Sequence, residues 1–135
     1  MIVGIDHLGV AVESLETALR FWQGALGMTP EHTEAVGEQG VGTVLLPANG
    51  VRIELLEPTG PDTPVGKFLA RRGPGLHHVC LLVDDLDAAL RTLTASGLRL
   101  IDEVPRPGVE GSRIAFLHPA AGAGVLVELK ETVRR

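Results

Sequence analysis

Apolar positions change their period along this chain, and the changes mark its elements. From Ile2 to Val12 they alternate with period two, which predicts a strand. Val3, Ile5, His7 and Gly9 fall on one face, with Leu8, Val10 and Val12 on the other. Both faces are mostly apolar, so the strand is expected to be covered on both sides. Ser14 can cap a helix in which Leu15, Ala18, Leu19, Trp22 and Leu26 recur at helical spacing, ended by Gly27. Three strands follow, near Glu31–Val36, Val41–Leu46 and Val51–Glu57, the last two joined through the hairpin signal Asn49-Gly50. Pro58 to Gly75 is rich in proline and glycine and reads as a connector, with Val65, Phe68 and Leu69 supplying a helical turn or two.

The order then repeats. Leu76–Val83 is a predicted strand. Asp85 caps a helix through Ser96, with Leu86, Ala89, Leu90 and Leu93 inward and Gly97 at its end. Strands are expected near Leu98–Glu103, Arg113–Leu117 and Gly124–Lys130, with Pro105–Gly111 as a loop able to cover a cleft. The reading is a single α+β domain over 1–135. It has two βαβββ pseudo-repeats at about 2–57 and 76–130, linked by 58–75.

The repeat extends to residue identity. Asp6-His7-Leu8-Gly9-Val10-Ala11-Val12 recurs as His77-His78-Val79-Cys80-Leu81-Leu82-Val83, and Val51-Arg52-Ile53-Glu54-Leu55-Leu56 recurs as Val125-Leu126-Val127-Glu128-Leu129-Lys130. Each half therefore offers one histidine and one glutamate at matching strand positions. Glu54 and Glu128 stand among apolar neighbours, where an unpartnered carboxylate is costly. A divalent ion held by His7, Glu54, His78 and Glu128 satisfies both carboxylates at once. Adjacent strand residues face opposite ways, so His77 belongs to structure or support rather than to the ligand set.

Charge and cysteine content narrow the field. A net charge of -5 argues against general nucleic-acid binding, although Arg71, Arg72, Arg99, Arg106 and Arg113 can form a local patch for an anionic substrate. Cys80 is the only cysteine, so no intrachain disulfide is expected. No leader-like segment opens the chain and no apolar run approaches a membrane span, which leads us to expect a cytoplasmic protein without membrane contact.

Six segments together resemble methylmalonyl-CoA epimerase, of the vicinal oxygen chelate superfamily. They are Asp6–Val12, Glu38-Gln39-Gly40-Val41, Ile53–Pro58, Gly75–Val79, Gly111–Pro119 and Gly124–Leu129. The His77-His78 doublet, the Glu-Leu-Leu-Glu-Pro run and Phe116-Leu117-His118-Pro119 are the more specific parts. The resemblance implies a U-shaped sheet around a divalent metal, with Co2+ first and Mn2+, Ni2+ or Zn2+ as alternatives. It also implies a homodimer and an acyl-CoA substrate. It assigns the metal to the same four residues and makes Glu128 both ligand and candidate base. Some family members carry an opposing glutamate where this chain has Thr43, so Glu54 is the first substitute as second acid/base, and Glu38 the next. Gln39, Lys67, Ser112 and Arg113 are the expected substrate contacts, His118 a further one. The rival readings are a glyoxalase I-like lyase acting on a hemithioacetal, and a metal-free binding module of the same fold. The second fits poorly with an intact ligand set and scarce aromatics.

Overall fold

The computed structural model describes residues 1–133. The chain divides into two compact units: one holds Met1–Asp6 and the residues from His78 onward, the other His7–His77. Strand β1 (Ile2–Ala11) contributes to both.

In the unit His7–His77, β1 is followed by α1 (Leu15–Leu19), a wider π turn over Arg20–Ala25, and strands β2 (His32–Val36), β3 (Val41–Ala48) and β4 (Val51–Pro58). The strands lie in the order β2-β3-β4-β1, with β4 and β1 parallel. Ser14 caps α1 through Thr17 N–H at 3.2 Å. Val12, Val44, Leu46 and Leu55 form the core under this helix, joined by Leu15, Ala18, Leu19, Trp22 and Met28. The helix was expected to stay regular to Leu26, but Leu26 is exposed and Met28 takes its place in the core. The π turn explains the shift. Its bonds run Leu26 N–H to Phe21 and Met28 N–H to Trp22, so more residues separate Trp22 from its next inward neighbour.

The start of β1 also departs from expectation. Ile2, Val3 and Ile5 are each about half exposed, at 49%, 55% and 47%. Pairing with β4 begins only at His7, opposite Arg52, because β4 itself begins at Val51. The connector holds a fuller helix than expected, α2 (Pro64–Arg72), capped by Thr63, which accepts from Gly66 N–H at 3.1 Å.

The second unit repeats the topology. Strand β5 (Gly75–Val83) runs into it, then come α3 (Leu86–Ala95), a two-residue β6 (Arg106–Pro107), β7 (Arg113–Leu117) and β8 (Val127–Glu131). The order is β5-β8-β7-β6, again with a parallel first pair. Asp85 caps α3 through Ala88 N–H at 3.0 Å. Val83, Leu86, Ala89, Leu90, Ala115 and Leu129 form its core.

The strand expected at Leu98–Glu103 is absent. Only Leu100 makes a bridge there, to Leu117, and the outer strand is Arg106–Pro107 instead. Asp102 turns inward and uses its carboxylate to accept Phe116 N–H at 2.8 Å, which replaces ladder pairing at that point. The last strand begins at Val127 rather than Gly124, because Pro119–Val125 folds into turns with Ala123 and Gly124 at positive φ.

Candidate active site

Strand register builds the same pair of side chains twice. In the parallel ladder β1/β4, Gly9 stands opposite Glu54; in β5/β8, Cys80 stands opposite Glu128. Two residues before Gly9 is His7, and two before Cys80 is His78, so each histidine shares a sheet face with its glutamate. His7 Nε2 lies 3.5 Å from Glu54 Oε1, and His78 Nε2 lies 3.1 Å from Glu128 Oε1. All four residues are buried, none more than 7% exposed.

Two buried carboxylates held against imidazoles are an expensive arrangement unless charge is balanced. The spacing within each pair is close to that of two ligands on the same cation. Two ligands each about 2.1 Å from an ion, at tetrahedral or octahedral angles, lie about 3.0–3.4 Å apart. The donor types, one imidazole nitrogen and one carboxylate oxygen per pair, also match a divalent transition metal.

Each pair has a distinctive setting. Opposite Glu54 on its other flank stands Leu45, and two residues from Leu45 stands Thr43, on the same face. Thr43 is buried, and its hydroxyl donates to the Glu34 carbonyl at 3.2 Å. A hydroxyl so placed cannot serve as a carboxylate base. Glu38 is exposed in a 3-10 turn over Gly37–Gln39. Arg52, directly opposite His7, is held by Glu31 at 2.9 Å. On the other module Phe116 faces Glu128 across the ladder, and its ring meets the His78 ring edge-on at 6.0 Å and 84°. Arg106 lies over the Phe116 ring, its Cζ 5.0 Å from the centroid.

The expected substrate contacts divide. Gln39 is half-buried at the end of its 3-10 turn, and Lys67 is exposed on α2. Ser112 shares a face with Ile114 and Phe116, but its hydroxyl donates to the Val109 carbonyl at 2.7 Å. Recruiting it as a donor therefore breaks that bond. Arg113 is on the opposite face from Phe116 and Glu128, fixed by Asp87 and Glu131 at 3.0 and 2.9 Å. Those hydrogen bonds, Asp87 first, hold its guanidinium above the ordinary arginine range. This placement gives Arg113 a structural partner set on the face opposite His78 and Glu128.

The remaining histidines have local work. His77 packs edge-on against Phe68 at 4.9 Å, His118 Nδ1 accepts from Ala120 N–H at 3.0 Å, and His32 pairs with Glu34 at 2.8 Å. The sequence marks Arg106 as one of five arginines of a local patch for an anionic substrate and Phe116 as part of the Phe116–Pro119 run, but does not single out Asp102. Phe116 carries a further signal, because it lies two positions from Ile114 in a strand whose pairing fixes its face.

Comparison with known proteins agrees with this architecture. The Glyoxalase/Bleomycin resistance protein/Dioxygenase superfamily model matches residues 6–116. The chain is 42% identical over 127 residues to the uncharacterized protein YqjC of Bacillus subtilis (strain 168), covering 94% of this chain and 91% of that one. It is 37% identical over 128 residues to the mitochondrial methylmalonyl-CoA epimerase of Dictyostelium discoideum, covering 94% of this chain and 77% of that one. A solved methylmalonyl-CoA epimerase, in complex with methylmalonyl-CoA and NH4+, is 38% identical with a TM-score of 0.95, covering 98% of this chain and 96% of that one. The expected vicinal oxygen chelate fold is thus the fold of this chain, with the outer strand of the second module shorter than the sequence led us to expect. With similarity of this extent in both sequence and structure, the chain belongs to the methylmalonyl-CoA epimerase family of the glyoxalase/bleomycin resistance protein/dioxygenase superfamily.

Proposed function

We propose that this chain is an epimerase that interconverts (2R)- and (2S)-methylmalonyl-CoA, and that His7, Glu54, His78 and Glu128 hold one divalent ion for it. The observation that carries the reading is the repeated buried His–Glu pair, set by the same strand register in both modules. Family membership supports the substrate, since relatives along nearly the whole chain are methylmalonyl-CoA epimerases.

The chemistry required is removal and return of the proton at C2, which lies between a thioester and a carboxylate. When bound, a divalent ion supplies Lewis-acid stabilisation of the negative charge that develops as this proton leaves. Glu128 is the first candidate to take the proton. Inversion needs the proton back on the opposite face of the planar enolate. With Thr43 lacking a carboxylate and Glu38 exposed, Glu54 is the remaining candidate of its module for that role.

Cobalt is our first choice of metal and a homodimer our expected assembly, both carried by the family resemblance; the cytoplasm is our expected location, read from the sequence alone. The test is conversion of (2S)- to (2R)-methylmalonyl-CoA, read with a mutase that consumes only the 2R epimer. Turnover by the metal-loaded protein supports the proposal. Inactivity of that protein, with turnover of a hemithioacetal instead, favours the lyase reading.

A further inference from the structure

Arg106 occupies an unusual position for an arginine in a short edge strand. It pairs with Ile114 in the β6/β7 register, which places it on the face shared by Ile114, Phe116 and Glu128. Its Nε donates to Asp102 Oδ2 at 3.0 Å. The same oxygen accepts Phe116 N–H at 2.8 Å, so the carboxylate that orients the guanidinium is itself fixed by backbone. The guanidinium lies over the Phe116 ring, the geometry of a cation–π contact. Among the described residues its two terminal nitrogens have no hydrogen-bond partner, and the side chain is only 32% exposed. The same Phe116 ring meets the His78 ring edge-on at 6.0 Å.

This is a preoriented fork with both terminal nitrogens available, next to a proposed ligand residue. Arg52 and Arg113 differ, since carboxylates already hold their terminal nitrogens. A fork of this kind matches a carboxylate in bidentate fashion. We propose that Arg106 binds the free carboxylate of the acyl-CoA substrate, an inference that rests on the epimerase reading. The phosphates of CoA are a second source of negative charge, but the pantetheine arm separates them from the reacting carbon, whereas Arg106 and His78 contact the same ring, Phe116. The assignment also suits the stereochemistry. With the carboxylate held at one end and the thioester at the other, only hydrogen and methyl exchange places at C2, so both epimers present the same anchored groups.

The experiment is competitive binding of malonyl-CoA, propionyl-CoA and CoA to the Co2+-loaded wild type and to Arg106→Met and Arg106→Lys. We expect Arg106→Met to weaken malonyl-CoA about tenfold or more, with propionyl-CoA and CoA within about twofold of wild type. Arg106→Lys should recover part of the loss, because it keeps the charge but not the fork. If the Met variant does not fold, the Lys variant carries the comparison. Unchanged malonyl-CoA binding overturns the assignment; so does equal weakening of all three ligands, which points to the phosphates. An inactive wild type refutes the epimerase reading separately, because it is measured on turnover and not on these affinities.

Discussion

Glu57 accepts the backbone N–H of Leu15 at 3.0 Å, capping α1 from three residues beyond Glu54. Glu131 accepts the N–H of Leu86 at 2.9 Å, three residues beyond Glu128. Each module thus ties the first turn of its helix to the strand that carries its site glutamate. A carboxylate there satisfies an orphan donor and favours the helix dipole. Glu57→Ala and Glu131→Ala should each cost about 0.5–2 kcal/mol of stability in urea unfolding. Epimerase activity of the folded fraction should stay within a few-fold of wild type.

Removing the metal should affect stability as well as activity. On the proposed reading, the buried carboxylates of Glu54 and Glu128 lose a counter-charge when the ion leaves. We expect the chelator-treated protein to be inactive and to melt several degrees lower. At an ion concentration of about 100 times Kd, rebinding contributes about 2.7 kcal/mol. Calorimetry across a Co2+ titration checks this, and a Tm independent of metal contradicts it.

The two glutamates should be separable from each other. Glu54→Gln and Glu128→Gln each remove a candidate base while keeping an oxygen donor, and each should lower kcat by about 10²–10⁴. If the two work on opposite faces, each variant still exchanges the C2 proton of one epimer faster than the other. Thr43 shares a sheet face with Glu54, so Thr43→Glu in the Glu54→Gln background should regain part of the lost turnover. Single-turnover exchange from each pure epimer measures both effects.

Arg113→Gln should leave KM for methylmalonyl-CoA unchanged, because the side chain pairs with Asp87 and Glu131 on the face opposite Glu128. Its folded-state pKa is raised, so its stabilising contribution is fully present below the ordinary arginine value and is lost only as pH rises through the raised one. The stability difference between variant and wild type should therefore show no alkaline decline up to about pH 9. A raised KM in this variant restores Arg113 to the substrate site.

Much of this molecule is legible in its sequence because the strand that carries each histidine pairs with the strand that carries its glutamate in the same register in both modules. Once His7 and His78, and Glu54 and Glu128, occupy matching positions, period-two alternation fixes their shared faces. Ser14 and Asp85 announce their helices for the same reason. The misreadings lie where a local pattern meets a tertiary decision. Leu98, Leu100 and Ile101 look like a strand, yet Leu98 and Ile101 are exposed and Asp102 is drawn to the Phe116 backbone. Leu26 fits a helical face, but the π turn gives its place to Met28. Arg106 sits between two prolines in what reads as a loop, so no periodicity reveals its face; only pairing with Ile114 does.

The central claim is that this chain moves the C2 proton of methylmalonyl-CoA with help from a bound divalent ion. The most direct measurement is NMR of C2 proton–deuterium exchange in D2O, starting from (2S)-methylmalonyl-CoA, with and without Co2+. The account predicts exchange that depends on metal and is accompanied by inversion, and that falls by about 10² or more in Glu128→Gln. Absence of exchange from folded, metal-loaded protein contradicts it.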